Sequence, residues 1–169
     1  AEKMARKGYT FQEAYDKMYE RNYFGMMMVE RGDADAFITG LYTKYSNTIK
    51  VATEVVGVRE GYHTFGTMHI VNSQKGTFYI ADTLINRHPD YNYLVDIARL
   101  SANTVEFFNE KLVMAMISYS NFGTDEIGSP LKVHEAVEEL HANYPNLIVD
   151  GEMQVNFALN REMRDEKYP

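Results

Sequence analysis

The sequence predicts an α/β domain with a largely parallel sheet, flanking helices and one antiparallel hairpin, on three observations. Short apolar runs alternate along the chain with helical periodicities of roughly 10 to 17 residues. Leu112 to Ile117 is almost unbroken apolar sequence, the pattern of a strand covered on both faces. Thr64 to Val71 and Thr77 to Ala81 read as two strands around Asn72-Ser73-Gln74-Lys75-Gly76, a hairpin connection whose Gly suits a left-handed turn position.

The elements follow in order. Thr10 is a helix N-cap, and Glu13 three residues later completes a capping box. Phe11, Ala14, Tyr15, Met18, Tyr19, Tyr23 and Met26 then recur at three- and four-residue steps through Met28, one broad helical face. Met26-Met27-Met28 reads as core filling. Arg31 to Asp35 is a turn, and Ala36 to Gly40 a short strand. Ile49, Ala52, Val55 and Val56 mark a helix over Tyr45 to Val56. After the hairpin, Leu94, Ile97, Ala98, Ser101, Val105 and Phe108 trace a helix leading to the apolar strand. Val133, Ala136, Val137 and Leu140 mark another, closed by Asn143-Tyr144-Pro145. Leu147 to Val149 is the last strand and Glu152 to Glu162 the last helix. No linker or repeat interrupts residues 1–169, which read as a single domain. The opening at Ala1, inside a charged, helix-like stretch, reads as a boundary within a longer protein.

A 45% hydrophobic content with 13% aromatics supports a sizeable core in 169 residues. The absence of Cys removes disulfides, thiolate metal sites and a Cys nucleophile, and suits a reducing, cytoplasmic setting. A formal charge of −7 without a Lys/Arg cluster argues against nucleic acid or an anionic membrane as partner. His134-Glu135 is followed by Glu138 where a metalloprotease pattern needs a second His, and His134 and His141 lie too far apart for one ion, so no metal ligands are assigned. Neither a G-x-G-x-x-G nor a Walker A loop is present, and no Ser-His-Asp set stands out, so no catalytic residue is assigned.

In a parallel α/β sheet the ligand crevice lies beyond the carboxyl ends of the strands. That selects the loops Thr39 to Thr48, Asp82 to Asn86, Ser118 to Thr124 and Asp150 to Glu152. The candidate ligand contacts are Thr39, Gly40, Thr43, Ser46, Asn47, Thr48, Lys50, Asp82, Asn86, Ser118, Ser120, Asn121 and Gly123. Ser46-Asn47-Thr48 opens a helix, where free N–H groups and the dipole favour a phosphate or carboxylate, with Lys50 adding charge; Ser46 or Asn47 acting as the helix cap is the alternative. The Ser118 to Thr124 loop offers hydroxyls, an amide and Gly123 for close approach, or is an ordinary turn. Asp82 either orients a ligand hydroxyl or ties down its turn. Asp150-Gly151-Glu152 is a carboxylate pair or, more commonly for an Asp in that place, a helix cap.

Five segments, taken in order and spacing, resemble the phosphate acetyltransferase/butyryltransferase family: Gly32 to Gly40, Tyr45 to Lys50, Ile80 to Asn86, Met114 to Gly123 and Val149 to Gln154. Lys44 to Lys50 and Thr64 to Ile70 look closer to the phosphotransacetylase-like C-terminal region of NADP-dependent malic enzymes than to free-standing transferases. The resemblance implies the second subdomain of an isocitrate dehydrogenase-like architecture, with coenzyme A and acyl phosphate meeting between subdomains. It places the Ser46 to Thr48 and Ser118 to Gly123 loops where the family contacts anionic substrate. Lys50 stands where the family commonly has Arg, which replaces a bidentate fork with a point charge. The family's catalytic Ser-Arg-Gly segment is expected beyond this chain, and the malate, NADP and divalent-metal sites of malic enzymes in domains before it. The implied role is acetyl-CoA binding, regulation and homo-oligomeric assembly; a working phosphate acetyltransferase half and a structural module with vestigial loops are the alternatives.

Overall fold

Thr10 caps the first helix as its residue type predicts. In a computed structural model of the chain, its side chain accepts from the Glu13 N–H, while the Glu13 carboxylate accepts from the Thr10 N–H at 2.8 Å. The structure describes residue 5 and residues 7–168; the charged opening stretch read as helix-like lies mostly outside them. The chain divides into two compact units, residues 1–59 and 60–169.

The first unit holds α1 (Phe11–Lys17), α2 (Arg21–Glu30) and α3 (Tyr45–Val55). The periodicity expected to run unbroken through Met28 is interrupted: Glu20 accepts from the Asn22 and Tyr23 N–H groups and starts α2 as a separate helix. That break separates the aromatic face. Phe11, Tyr15 and Tyr19 are exposed, whereas Tyr23 is buried with Met26, Val51 and Val55 in the core between α2 and α3. Met27 packs against this core, as expected of the methionine run. Residues 36–40 do not form a strand; Phe37 packs on the core, but Ile38 is 95% exposed and Gly40 sits at φ 131°. Alternation of polarity is missing there, and one anchored aromatic does not make an extended segment a ladder member.

The second unit begins its regular structure with the antiparallel hairpin β1 (Met68–Ser73) and β2 (Gly76–Ala81), paired from Met68↔Ala81 to Ser73↔Gly76. Gly76 takes φ 123°, the conformation for which the connection was expected to need a Gly. Next come α4 (Tyr91–Phe107), β3 (Met114–Ile117), α5 (Ser129–Asn143) and β4 (Val149–Met153). The chain closes with the short helices α6 (Val155–Leu159) and α7 (Arg161–Lys167). Strands β3 and β4 are parallel neighbours, with α5 providing the crossover between them. Val95 and Ala98 of α4, Ala136 and Leu140 of α5, and Val149 of β4 form one core, with Met114 and Met116 packed against it.

The class is therefore α/β, with the parallel and antiparallel pairings in two small sheets. Two local expectations change. Strand β3 is only half-buried, so its apolar run does not reflect cover on both faces within this chain. Strand β4 extends through Met153, which moves Asp150, Gly151 and Glu152 out of the expected helix start and into the strand. The helix expected from Glu152 resolves into α6 and α7, separated at Asn160, whose side chain caps α7.

Candidate functional site

In the first unit, the N-terminus of α3 gathers most of the candidate residues. Lys44 is its N-cap and makes no side-chain capping bond, so neither Ser46 nor Asn47 has the capping role. Both are exposed within the first turn. The Asn47 amide reaches Thr43 Oγ1 at 3.4 Å, drawing Thr43 to the same end of the helix. Thr48 Oγ1 is buried without a hydrogen-bond partner. Lys50 is 71% exposed along its side chain and 3.9 Å from Glu54 Oε1. Tyr23 and Lys17 engage the other oxygen of Glu54, Oε2, so Oε1 faces Lys50, whose side chain is otherwise open to solvent. The Asn47 and Thr48 N–H groups donate to the Lys44 carbonyl at 2.9 and 3.3 Å, so what this end of the helix presents is a first turn without a side-chain cap, a hydroxyl without a partner and a cation, a set that suits an anion. Thr39 is exposed and donates to Asn22 Oδ1 at 2.8 Å, and Gly40 lies beside it.

In the second unit, Asp82 and Asn86 form a closed clasp. Asp82 Oδ1 accepts from the Thr67 hydroxyl and N–H at 2.6 and 2.9 Å, and Oδ2 accepts from the Asn86 N–H and amide at 2.8 and 2.7 Å. Burial alone would raise the Asp82 pKa, but these four bonds outweigh it and hold the carboxyl at about 2. Asn86 further donates to the Phe65 carbonyl at 3.1 Å and accepts from the Thr64 hydroxyl at 3.0 Å. This pair ties the end of β2 to the segment before β1.

The Ser118 to Gly123 loop follows β3 and is fastened to β4. The Ser118 N–H donates to the Met153 carbonyl at 2.9 Å, and the Phe122 N–H to the Glu152 carbonyl at 2.8 Å. The Gly123 N–H donates to Glu152 Oε1 at 2.7 Å, and the Ser120 hydroxyl to the same oxygen at 3.4 Å. Asn121 Oδ1 accepts from the Gln154 N–H at 2.8 Å. Two of the loops selected from sequence thus meet, with Ser120, Asn121 and Glu152 all buried. The Ser118 hydroxyl is buried without a partner. A pocket of about 310 Å³ opens beside the loop, lined by Gly123, Asp125, Glu126, Leu131 and His134.

Glu152 entered the sequence reading only as one of a carboxylate pair with Asp150, and His134 only as a rejected metal ligand; neither stood among the candidate ligand contacts. Asp150 is not a helix cap: it lies in β4 and accepts from the next residue's N–H at 2.8 Å. Asp-Gly-Glu is a poor strand signal, so the sequence pointed to a cap, while Glu152 is 0% exposed. The motif's place after an apolar triplet was the available clue.

The family model for phosphate acetyl/butaryl transferase matches residues 1–169. The chain is 35% identical over 167 residues to the NADP-dependent malic enzyme of Escherichia coli (strain K12), covering 98% of the chain and 22% of that enzyme. It is 32% identical over 165 residues to the phosphate acetyltransferase of Bacillus subtilis (strain 168), covering 97% of the chain and 51% of the relative. A crystal structure of a phosphotransacetylase from Streptococcus pyogenes superposes with a TM-score of 0.87 at 29% identity, covering 99% of this chain and 52% of that one. The chain spans about half the length of these transferases and about a fifth of that malic enzyme.

Proposed function

The chain belongs to the phosphate acetyl/butyryl transferase family, and from that premise we propose that it is an acyl-CoA-binding, regulatory and assembly domain of a malic enzyme-type protein. In this reading it is the second subdomain of a phosphotransacetylase-like region. The intact protein decarboxylates malate oxidatively to pyruvate, with NADP and a divalent metal held by its other domains.

One observation carries the ligand assignment: the N-terminus of α3 has no side-chain cap and joins the exposed Ser46 and Asn47 and the unpartnered Thr48 hydroxyl to the exposed Lys50. A phosphate of acyl-CoA or of an acyl phosphate meets all of these needs. On the Ser118 to Gly123 loop, Ser120, Asn121 and Gly123 are fastened to Glu152 and Gln154, and the Ser118 hydroxyl is the group left without a partner for the same class of ligand. In contrast, the Asp82–Asn86 clasp satisfies its own hydrogen bonds and serves by shaping its loop. Association of subunits and a cytoplasmic location belong to the same reading. Among the described residues, no helix is long and apolar enough to cross a membrane.

The likeness to the Streptococcus pyogenes phosphotransacetylase favours a second reading, half of an enzyme that moves acetyl between coenzyme A and phosphate by positioning and charge stabilisation. One calorimetric titration, acetyl-CoA into the intact protein, separates the readings when malate-dependent NADP reduction and acetyl transfer to phosphate are followed in parallel. Micromolar binding that shifts malic activity is expected. Lys50→Ala should weaken it about fivefold, the scale of one exposed charge near a helix N-terminus. Acetyl transfer without malic activity would establish the transferase instead, and absence of binding would leave a purely structural domain.

A further inference from the structure

Glu152 combines complete burial, a clasp on the Ser118 to Gly123 loop and an oxygen with no hydrogen-bond partner. That second oxygen, Oε2, lies 3.3 Å from His134 Nδ1, which is likewise without a hydrogen bond. Among the described residues, His134 is the one cation-capable side chain within ion-pair distance of Glu152. The other titratable groups nearby are acidic. Glu138 on the same helix lies 3.6 Å from His134 Nε2, Asp125 and Glu126 line the pocket with His134 and Gly123, and Asp150 precedes Glu152 by two residues in β4.

An anion approaching the Gly123 end of the loop therefore enters a field of carboxylates, the closest of them bonded to the Gly123 N–H itself. A buried carboxylate shielded by no positive charge opposes such a ligand, because the low-dielectric surroundings screen it poorly. We propose that Glu152 is a positioning residue that holds the Ser118 to Gly123 loop in its ligand-ready form, and that His134 supplies the positive charge that lets an anion dock beside it. The inference rests on reading this loop as part of the acyl-CoA site. At 3.3 Å, Nδ1 and Oε2 are each the nearest partner available to the other, and closing that contact would satisfy both buried atoms behind the loop.

A double-mutant cycle on the intact protein tests this, with acetyl-CoA as the calorimetric probe at neutral pH. Glu152→Gln keeps an amide oxygen for the Gly123 N–H and removes the charge, so its affinity should stay within about twofold of wild type or rise. His134→Gln leaves the Glu152 charge without compensation, and its affinity should fall about tenfold. The pair His134→Gln/Glu152→Gln should recover to within about twofold of wild type, a rescue that a merely structural role would not produce. His134 is 42% exposed along its side chain, and unchanged thermal midpoints would establish that all three variants fold. Wild-type affinity in His134→Gln, or a double variant no tighter than His134→Gln, overturns the inference while leaving the acyl-CoA reading intact. Failure of the wild-type protein to bind overturns both.

Discussion

Gly151→Ala is expected to lower the stability of the region around β4 in the intact protein by about 3 kcal/mol, with acetyl-CoA binding lost in parallel. A Cβ at this position would lie 2.5 Å from the Met116 carbonyl oxygen and 3.0 Å from the Met116 Cβ. Neither can yield cheaply, because Met116 is the residue paired with Gly151 across the parallel ladder. Residue 151 also takes φ 143°, a conformation that a side chain disfavours even in open space. The two penalties act on the same few atoms, and the residue that follows is Glu152. Displacing β4 there would pull its carboxylate from the Gly123 N–H, so the mechanical damage should reach the loop. Urea denaturation of the intact protein, followed with a probe in this region, measures the first effect and calorimetry the second. A midpoint indistinguishable from wild type would show that the β3–β4 pair can separate without cost.

The second large effect is expected at Asp82. Its carboxyl sits at about 2 in the folded protein against an ordinary value of 3.8. A folded value below the unfolded one adds stability above the unfolded value, and that stability is lost as pH falls from about 4 through about 2. The shift corresponds to about 2 kcal/mol at neutral pH. Asp82→Ala should cost that amount plus the penalty for stranding the Thr67 and Asn86 donors, in total about 3 kcal/mol. Because the electrostatic part is already about half gone at pH 3, the gap between wild type and variant should narrow between pH 7 and pH 3. Paired urea titrations at the two pH values measure this. A gap that stays constant would mean that packing, not charge, makes the clasp.

Elements with a clear period were legible in the sequence. The capping box at Thr10 and Glu13, the hairpin through Gly76, and the faces of α4 and α5 all follow from spacing. What failed were short segments whose state depends on tertiary partners. Ala36 to Gly40 has the composition of a strand, yet only Phe37 finds the core. Asp150-Gly151-Glu152 has the composition of a turn, yet it completes a parallel pair. Of the candidate site, the sequence located the start of α3: Ser46 and Asn47 lie exposed in its first turn, and Lys50 follows beyond it, beside Glu54. Glu152 was weighed as one of a carboxylate pair, but its role in organising the other loop was not legible, because burying it becomes sensible only once Gly123, Ser120 and His134 are known to surround it.

The two-stranded hairpin has a consequence for the timing of local opening. Ile70, Val71 and Ile80 are each 41% exposed or more, so β1 and β2 cover little apolar surface and rest on few packed neighbours. A lone pair of strands is marginal by itself. Its amide hydrogens should therefore exchange with solvent deuterium well before those of α5, whose Ala136 and Leu140 are fully buried. The chain would then breathe in two tiers, with the hairpin opening while α5 and β4 stay closed, and Gly123 and Glu152 belong to the slower tier.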